Sequence, residues 1–220
     1  MPSTPDGAQR YFERIPEKWD VLYSDENRLW YAINRVFRKG LFERYRLTFE
    51  HCGEIAGASV LDIGCGTGRY SLEFAKRGAA RVVGIDFAPS MVEFSRRISR
   101  ELGLADRCEF ICGDFLTHPF GESFDIVSGL GLFDYVAEPS PVFAKIADLT
   151  KKRFLASFPR KTGLWDLQRK IRYHWIKKCP IYNYTREQLE ALFRDAPFPE
   201  FRIIPLSRGF FGIGIKGREP

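Results

Sequence analysis

A turn with regularly spaced glycines is the feature that most restricts how this chain can fold. The segment Val60-Leu-Asp-Ile-Gly-Cys-Gly-Thr-Gly68 places three glycines two residues apart, directly after a short apolar run. Such a run is typical of a buried parallel strand, and the glycines let the backbone turn tightly and admit a ligand close to it. The segment therefore predicts the first strand–turn–helix unit of a ligand-binding α/β domain.

Strand-like and helix-like segments alternate along the rest of the chain. The fold predicted from them is a doubly wound, seven-stranded and mostly parallel sheet of the Rossmann-like α/β class, with an antiparallel last strand. Ser90 and Ser140 are predicted N-caps, and Thr185 with Gln188 forms a predicted capping box. The predicted strands are Ser59–Ile63, Arg81–Asp86, Cys108–Cys112, Phe124–Ser128, Arg153–Phe158, Phe201–Leu206 and Phe210–Ile215.

The length of 220 residues and the hydrophobic content of 45% predict one domain with one sizeable core. The connection after the fifth strand is too long for an ordinary loop and is predicted to be a cap insertion. The expected parts are an N-terminal helical addition (10–52), a ligand-binding core (57–158), the cap insertion (159–184) and a terminal helix with a strand hairpin (185–220).

Composition excludes several other classes of protein. The five cysteines are odd in number and lack paired metal spacing, so no metal site is predicted. No run approaches the roughly 18 to 20 apolar residues of a membrane helix, so no membrane insertion is expected. The first ten residues lack an apolar signal core, which predicts a cytoplasmic protein. The oligomeric state is not indicated.

Charge is distributed unevenly along the chain. Residues 1–150 hold 18 basic and 22 acidic side chains, whereas residues 151–220 hold 16 and 6, a net charge of +10. This asymmetry predicts an anionic partner near the C-terminal third, with a solvated basic face as the alternative.

Three acidic residues follow three successive predicted strands. Asp62 precedes the glycines, Asp86 follows Gly68 by 18 residues, and Asp114 lies in Cys112-Gly-Asp-Phe115. A carboxylate at Asp86 can accept hydrogen bonds from both hydroxyls of a ribose, or it can cap the next helix. The G-x-G-x-x-G pattern of dinucleotide-binding loops would need glycine at position 69, which is arginine.

The D-x-G-x-G-x-G segment resembles the cofactor loop of class I S-adenosylmethionine (SAM)-dependent methyltransferases, over about residues 57–158. The resemblance implies SAM as cofactor, S-adenosylhomocysteine (SAH) as product, and methyl transfer as the activity. It implies that the glycines contact the methionine part and the ribose, that Asp62 helps to hold the amino-acid moiety, that Asp86 binds the ribose, and that Asp114 receives the adenine amino group. The predicted cofactor-binding residues are Asp62, Gly64, Cys65, Gly66, Gly68, Asp86, Phe87, Met91, Asp114, Phe115 and Gly129.

Candidate catalytic residues lie where the fourth predicted strand opens and in the cap insertion. They are Asp134 and Tyr135, near the carboxyl ends of the strands, and His174. A general base is needed only where the acceptor is protonated at working pH. Methyltransferases that act on amino groups of nucleic-acid bases carry an (Asp/Asn/Ser)-Pro-Pro-(Tyr/Phe) tetrad at this place, which this chain lacks.

Aromatic and basic residues in the two additions predict an acceptor pocket for a small anionic or aromatic molecule, methylated on oxygen or nitrogen. Packing of these aromatics onto the core is the alternative. The stretches Trp19-x-x-x-Tyr-Ser-Asp-Glu-Asn27 and Ser157-Phe-Pro-Arg-Lys-Thr162 resemble magnesium-protoporphyrin O-methyltransferases. An RNA or protein methyltransferase and a non-catalytic SAM-binding protein are the competing hypotheses, and nucleic acid is the less favoured partner because no RNA-binding module is visible. The predicted substrate-binding residues are Tyr11, Trp19, Tyr23, Trp30, Phe133, Arg160, Arg172 and Tyr182.

Overall fold

The computed structural model describes residues 39–160 and 181–217. The seven predicted strands are all present in one sheet, three of them with the predicted bounds and the others longer at one or both ends. They are β1 Ser59–Ile63, β2 Arg81–Asp86, β3 Cys108–Cys112, β4 Phe124–Leu130, β5 Thr150–Pro159, β6 Glu200–Leu206 and β7 Gly209–Ile215.

The spatial order of the strands is β3-β2-β1-β4-β5-β7-β6. β1 pairs in parallel with both β2 and β4, while β3 and β5 extend the parallel sheet on either side. β7 is antiparallel to its two neighbours, β5 and β6. The predicted doubly wound sheet with an antiparallel last strand is therefore confirmed. The order reverses between β1 and β4, and open α/β sheets bind ligands at the carboxyl ends of the strands beside such a reversal.

Five helices belong to the described residues. The capping box predicted at Thr185 and Gln188 is confirmed, because each of these side chains accepts a hydrogen bond from the other residue's backbone N–H. The helices are α1 Lys39–His51, α2 Arg69–Lys76, α3 Pro89–Glu101, α4 Pro139–Leu149 and α5 Arg186–Asp195.

The predicted N-caps of α3 and α4 are wrong. Both helices begin at a proline, Pro89 and Pro139, one residue before the predicted caps Ser90 and Ser140. Proline suits the first helical position because its fixed φ is helical and its missing N–H would have no intrahelical partner there. In each helix the proline thus determines the start, and the serine lies inside the first turn.

Alternate residues of the central strands enter two separate apolar clusters. Leu61 and Val83 belong to one cluster with residues of α4 and α5. Val60 and Val82 belong to the other, with residues of α1, α2 and α3. Because successive side chains of a strand point to opposite faces, the sheet is covered by helices on both sides. This leaves the ends of the strands as the place where polar side chains meet.

Within residues 39–160 and 181–217, no helix combines the length and the apolar content that crossing a bilayer requires.

Candidate functional site

The loop between β1 and α2 has the backbone conformation that its glycines predict. Gly64, Gly66 and Gly68 have φ angles of 67°, 54° and 77°. These angles lie in the left-handed region, which residues other than glycine adopt only at an energetic cost. A Cβ added to Gly66 would meet no atom within 4 Å. One added to Gly68 would lie 3.1 Å from side-chain atoms of Ser95 and Phe110. The loop is therefore packed against the protein at Gly68 and open at Gly66.

Asp86, at the end of β2, holds this loop. One carboxylate oxygen accepts the Gly66 N–H at 2.9 Å and the other accepts the Ala88 N–H at 2.9 Å. Burial raises the pKa of Asp86, against the lowering effect of these backbone hydrogen bonds. A carboxylate has about four acceptor sites, so Asp86 can accept further hydrogen bonds while it anchors the loop.

Asp62 lies in β1, next to β2, and is 2% exposed. Its two oxygens accept hydrogen bonds from the hydroxyls of Ser71, at 2.7 Å, and Ser128, at 2.8 Å. Desolvation raises the pKa of Asp62 to about 6; the two serine hydrogen bonds oppose the rise and the charge of Asp86 adds to it. Ser71 and Ser128 were not predicted, because only the packing of α2 and β4 against β1 brings their hydroxyls to this carboxylate.

The end of β3 lies beside the end of β2. The Gly113 N–H donates to the backbone carbonyl of Asp86 at 3.0 Å. This hydrogen bond brings the half-buried Asp114 close to Asp86, the residue that holds the glycine loop. Asp114 accepts the Leu116 N–H at 2.7 Å and thereby shapes its own turn. Phe115 is buried in the core cluster of the α4 face.

Four other predicted cofactor-binding residues lie around the same strand ends. Phe87 is half-buried, whereas Met91, Cys65 and Gly129 are buried. The Gly68 N–H donates to the Cys65 carbonyl at 2.9 Å, within the glycine loop. The contact of each of these residues with a cofactor stays a prediction.

The residues predicted to lie near the methyl acceptor begin directly after β4. The ring of Phe133 is fully buried and packs on Phe143 and Phe158 with centroid distances of 5.3 and 4.6 Å. Packing in the core is therefore sufficient to explain an aromatic residue at position 133, whether or not it also contacts an acceptor molecule. Tyr135 is 8% exposed and Asp134 is half-buried.

The chain returns to this loop at residues 181–184. The Tyr182 N–H donates to the Asp134 carbonyl at 2.9 Å, and the Tyr184 hydroxyl donates to the Val136 carbonyl at 3.2 Å. Tyr182, predicted to contact the acceptor, is therefore brought beside a candidate catalytic residue. Arg160 lies elsewhere, with its guanidinium donating to the Ser207 carbonyl at 3.4 Å.

The remaining predicted residues lie outside the described residues. They are the substrate-binding candidates Tyr11, Trp19, Tyr23, Trp30 and Arg172, and the catalytic candidate His174.

Arg44 is a candidate that sequence reasoning missed. It lies on α1, and its guanidinium donates to the Tyr70 hydroxyl at 3.1 Å and to the Ser157 hydroxyl at 3.2 Å. A Cβ added to Gly131 would lie 3.0 Å from Arg44 Nη1. Nothing in its local sequence distinguishes Arg44 from Arg46, the other arginine of α1; only the docking of that helix brings a cation to the ends of β4 and β5.

The geometry fits an amino-acid nucleoside such as SAM. Two buried carboxylates and an open glycine suit a ligand with hydroxyl and ammonium donors that approaches the backbone closely. The guanidinium of Arg44 suits a carboxylate. The carboxylates and the glycine loop lie at the ends of β1 and β2, and the Arg44 guanidinium reaches the ends of β4 and β5 from α1.

Comparison with known proteins agrees with this geometry. A family model described as a methyltransferase domain matches residues 60–153. The ubiquinone biosynthesis O-methyltransferase of Xanthomonas euvesicatoria pv. vesicatoria (strain 85-10) is 36% identical over 117 residues, 52% of this chain and 48% of that protein. The chain thus spans about half the length of this relative.

Two further similarities cover more of the chain. The human EEF1A lysine methyltransferase 2 is 27% identical over 200 residues, 84% of this chain and 78% of that protein. The crystal structure of magnesium protoporphyrin IX methyltransferase from Synechocystis PCC 6803 with bound SAH superposes with a TM-score of 0.72 at 22% identity. It covers 96% of this chain and 98% of that one. At this identity the superposition shows a shared fold.

Proposed function

We propose that the chain is a class I SAM-dependent methyltransferase and that it methylates an oxygen or nitrogen atom of a small anionic or aromatic molecule. The observation that carries the proposal is the Asp86 carboxylate, which holds the Gly66 N–H beside an open face of the glycine loop. One ligand can therefore contact both the carboxylate oxygens of Asp86 and the backbone at Gly66, where no side chain intervenes.

The proposed cofactor contacts follow from the charges at the strand ends. Asp86 accepts hydrogen bonds from the ribose hydroxyls, and Asp114 accepts one from the adenine amino group. The ammonium group of the amino-acid end lies towards Asp62, directly or through water, and its carboxylate towards Arg44. The zwitterionic end thus meets one charge of each sign, and each charge is already oriented by neighbouring hydroxyls.

The chemistry requires mainly orientation from the protein. SAM, when bound, supplies a methyl group that its sulfonium already activates. The chain's own residues must hold an acceptor atom in line with that methyl group and exclude water, and such orientation contributes roughly 7–11 kcal/mol. In this proposal Asp134 and Tyr135 lie beside the acceptor, and one of them serves as general base where the acceptor carries a proton.

The acceptor class is supported by chemistry and by the relatives. The stretch of chain from 151 to 220 carries a net charge of +10, which favours an anionic acceptor. The relative named for ubiquinone biosynthesis is an O-methyltransferase, which supports an oxygen acceptor. A protein acceptor is the second candidate, because the lysine methyltransferase relative matches most of the chain.

Calorimetry tests the cofactor part of the proposal. We expect the wild type to bind SAH and not NAD, and Asp86→Ala to lose SAH binding because both the ribose acceptor and the anchor of Gly66 are removed. Binding of NAD in place of SAH would overturn the assignment.

A radiolabel assay tests the acceptor. The protein is incubated with methyl-labelled SAM and a cell extract that is untreated, nuclease-treated or protease-treated. We expect label in small molecules in all three samples. Label that is lost after protease treatment would identify a protein acceptor, label lost after nuclease treatment a nucleic acid, and absence of label would favour a non-catalytic SAM-binding protein.

A further inference from the structure

A buried serine of α3 contacts the glycine loop from the protein side. Ser95 is fully buried, and its hydroxyl lies 2.8 Å from the Gly66 carbonyl oxygen and 2.9 Å from the Met91 carbonyl oxygen. Its Cβ and Oγ would each lie 3.1 Å from a Cβ added to Gly68. One side chain therefore touches two of the three glycines.

The Gly66 residue is held at both of its backbone polar groups. Its N–H donates to Asp86, and its C=O accepts from Ser95. The space on the other side of its Cα is open to 4 Å. The loop is thus fixed by the protein on one side while it presents bare backbone on the other.

We propose that Ser95 is a positioning residue, whose hydroxyl keeps the glycine loop in the conformation that binds SAM before the cofactor arrives. This inference rests on the proposed function, because it takes SAM to bind at this loop. Apparent affinity falls in proportion to the fraction of protein that is binding-competent. A hydroxyl that raises this fraction improves binding without contacting the ligand.

Ser99 shows that a buried serine of α3 needs no such contact. It is 2% exposed, and its hydroxyl donates to the Arg96 carbonyl of its own helix at 2.9 Å. Ser95 also has an intrahelical acceptor within reach, the Met91 carbonyl. The single hydroxyl hydrogen of Ser95 is shared between the Gly66 and Met91 carbonyls, and Met91 alone would satisfy it, so burial on this helix does not demand the Gly66 contact. Ser99 is therefore a matched control.

Calorimetry with SAH on the whole 220-residue chain tests the inference, with Ser95→Ala and Ser99→Ala compared with wild type. Loss of one hydrogen bond to the loop predicts about three- to tenfold weaker SAH binding in Ser95→Ala, and unchanged affinity in Ser99→Ala. Thermal unfolding without ligand is measured in parallel. A purely structural role predicts a similar fall in Tm in both variants with no change in SAH affinity.

Ser95→Cys is the second variant and remains informative if Ser95→Ala does not fold. Because a thiol is a weaker donor than a hydroxyl, the SAH affinity of Ser95→Cys is expected to lie between that of the wild type and that of Ser95→Ala. If only the cysteine variant folds, its SAH affinity is expected to be up to about threefold below that of the wild type. Wild-type affinity in every Ser95 variant that folds, or equal losses at Ser95 and Ser99, would overturn the inference. Failure of the wild type to bind SAH would instead overturn the proposed function.

Discussion

Replacing Asp62 by asparagine is expected to stabilise the protein and weaken cofactor binding. The side chain is 2% exposed, and its oxygens accept hydrogen bonds from the hydroxyls of Ser71 and Ser128, with a further contribution from the Ser71 backbone N–H. An asparagine can keep both contacts, because a hydroxyl both donates and accepts hydrogen bonds. The substitution therefore removes a buried charge with little change in shape.

The pKa of Asp62 determines the size and the pH range of the effect. Its rise from 3.8 to about 6 corresponds to about 3 kcal/mol, since one pH unit is worth about 1.4 kcal/mol. The folded state holds the proton more tightly than the unfolded state, so the Asp62 contribution to stability is present below about pH 4 and is lost as the pH rises to about 6. The asparagine variant has no group that ionises at this position, so its free energy of unfolding does not fall in this pH range for that reason. Its advantage is expected to be small at pH 4 and to approach about 3 kcal/mol, as an upper bound, at pH 7.5.

Urea unfolding without cofactor at pH 4, 5, 6 and 7.5 measures the difference between wild type and Asp62→Asn. Asp125→Asn is the control of opposite sign. Partial desolvation of Asp125 would raise its pKa, but hydrogen bonds from Ser59 and the contact with Lys152 outweigh it and lower the pKa to about 2. This control is expected to lose stability at neutral pH, and the loss should diminish as the pH falls from 4 towards 2.

Calorimetry at pH 7.5 completes the experiment. We expect SAH to bind Asp62→Asn at least about tenfold more weakly than wild type, because a charge-assisted hydrogen bond to the ammonium group is worth about 1.5–3 kcal/mol. A variant less stable than wild type at pH 7.5 would refute the reasoning about the buried charge. Unchanged SAH affinity would refute the assignment of Asp62 to the ammonium group.

Three further substitutions are expected to separate cofactor contacts from structural roles. Gly68→Ala should lower stability more than Gly103→Ala in urea unfolding: both have positive φ, of 77° and 67°, but only Gly68 has a neighbour, Phe110, 3.1 Å from the added Cβ. Arg44→Met should weaken binding of SAH but not of methylthioadenosine, which lacks the amino-acid end, and equal losses for both ligands in calorimetry would contradict the carboxylate contact. Thr185→Ala should cost about 0.5–2 kcal/mol of stability by loss of the helix cap, with SAH affinity unchanged.

The glycine loop and the strands that carry it were predictable because their sequence signals are local. The glycine spacing, the acid at the end of each early strand and the apolar runs are all read from a few neighbouring residues. Gly64, Gly66 and Gly68 have the backbone conformation that this pattern predicts. The two incorrect helix starts, at Ser90 and Ser140, are also local: in each case the preceding proline outweighs the serine.

The partners of the site residues were not predictable from local sequence. Ser71 and Ser128 reach Asp62 from different elements, and Ser95 reaches Gly66 across 29 positions of chain. The burial of Phe133 was not predictable either, because an aromatic residue near a predicted acceptor loop is fully buried in the core. Whether a side chain faces a ligand or the core depends on how two elements pack.

The sequence by itself determined the fold class and the order of the strands and helices, because hydrophobic periodicity and turn chemistry depend on short stretches of sequence. The tertiary structure decided which charges meet at the strand ends. The proposed environment of the amino-acid end of SAM joins Asp62 of β1 to Arg44 of α1, whose guanidinium contacts Ser157 of β5. These residues become neighbours only when the parallel strands align their carboxyl ends and α1 docks on the sheet. The physical reason is that electrostatic complementarity depends on the distances between charges in space, and the order of residues along the chain does not specify those distances.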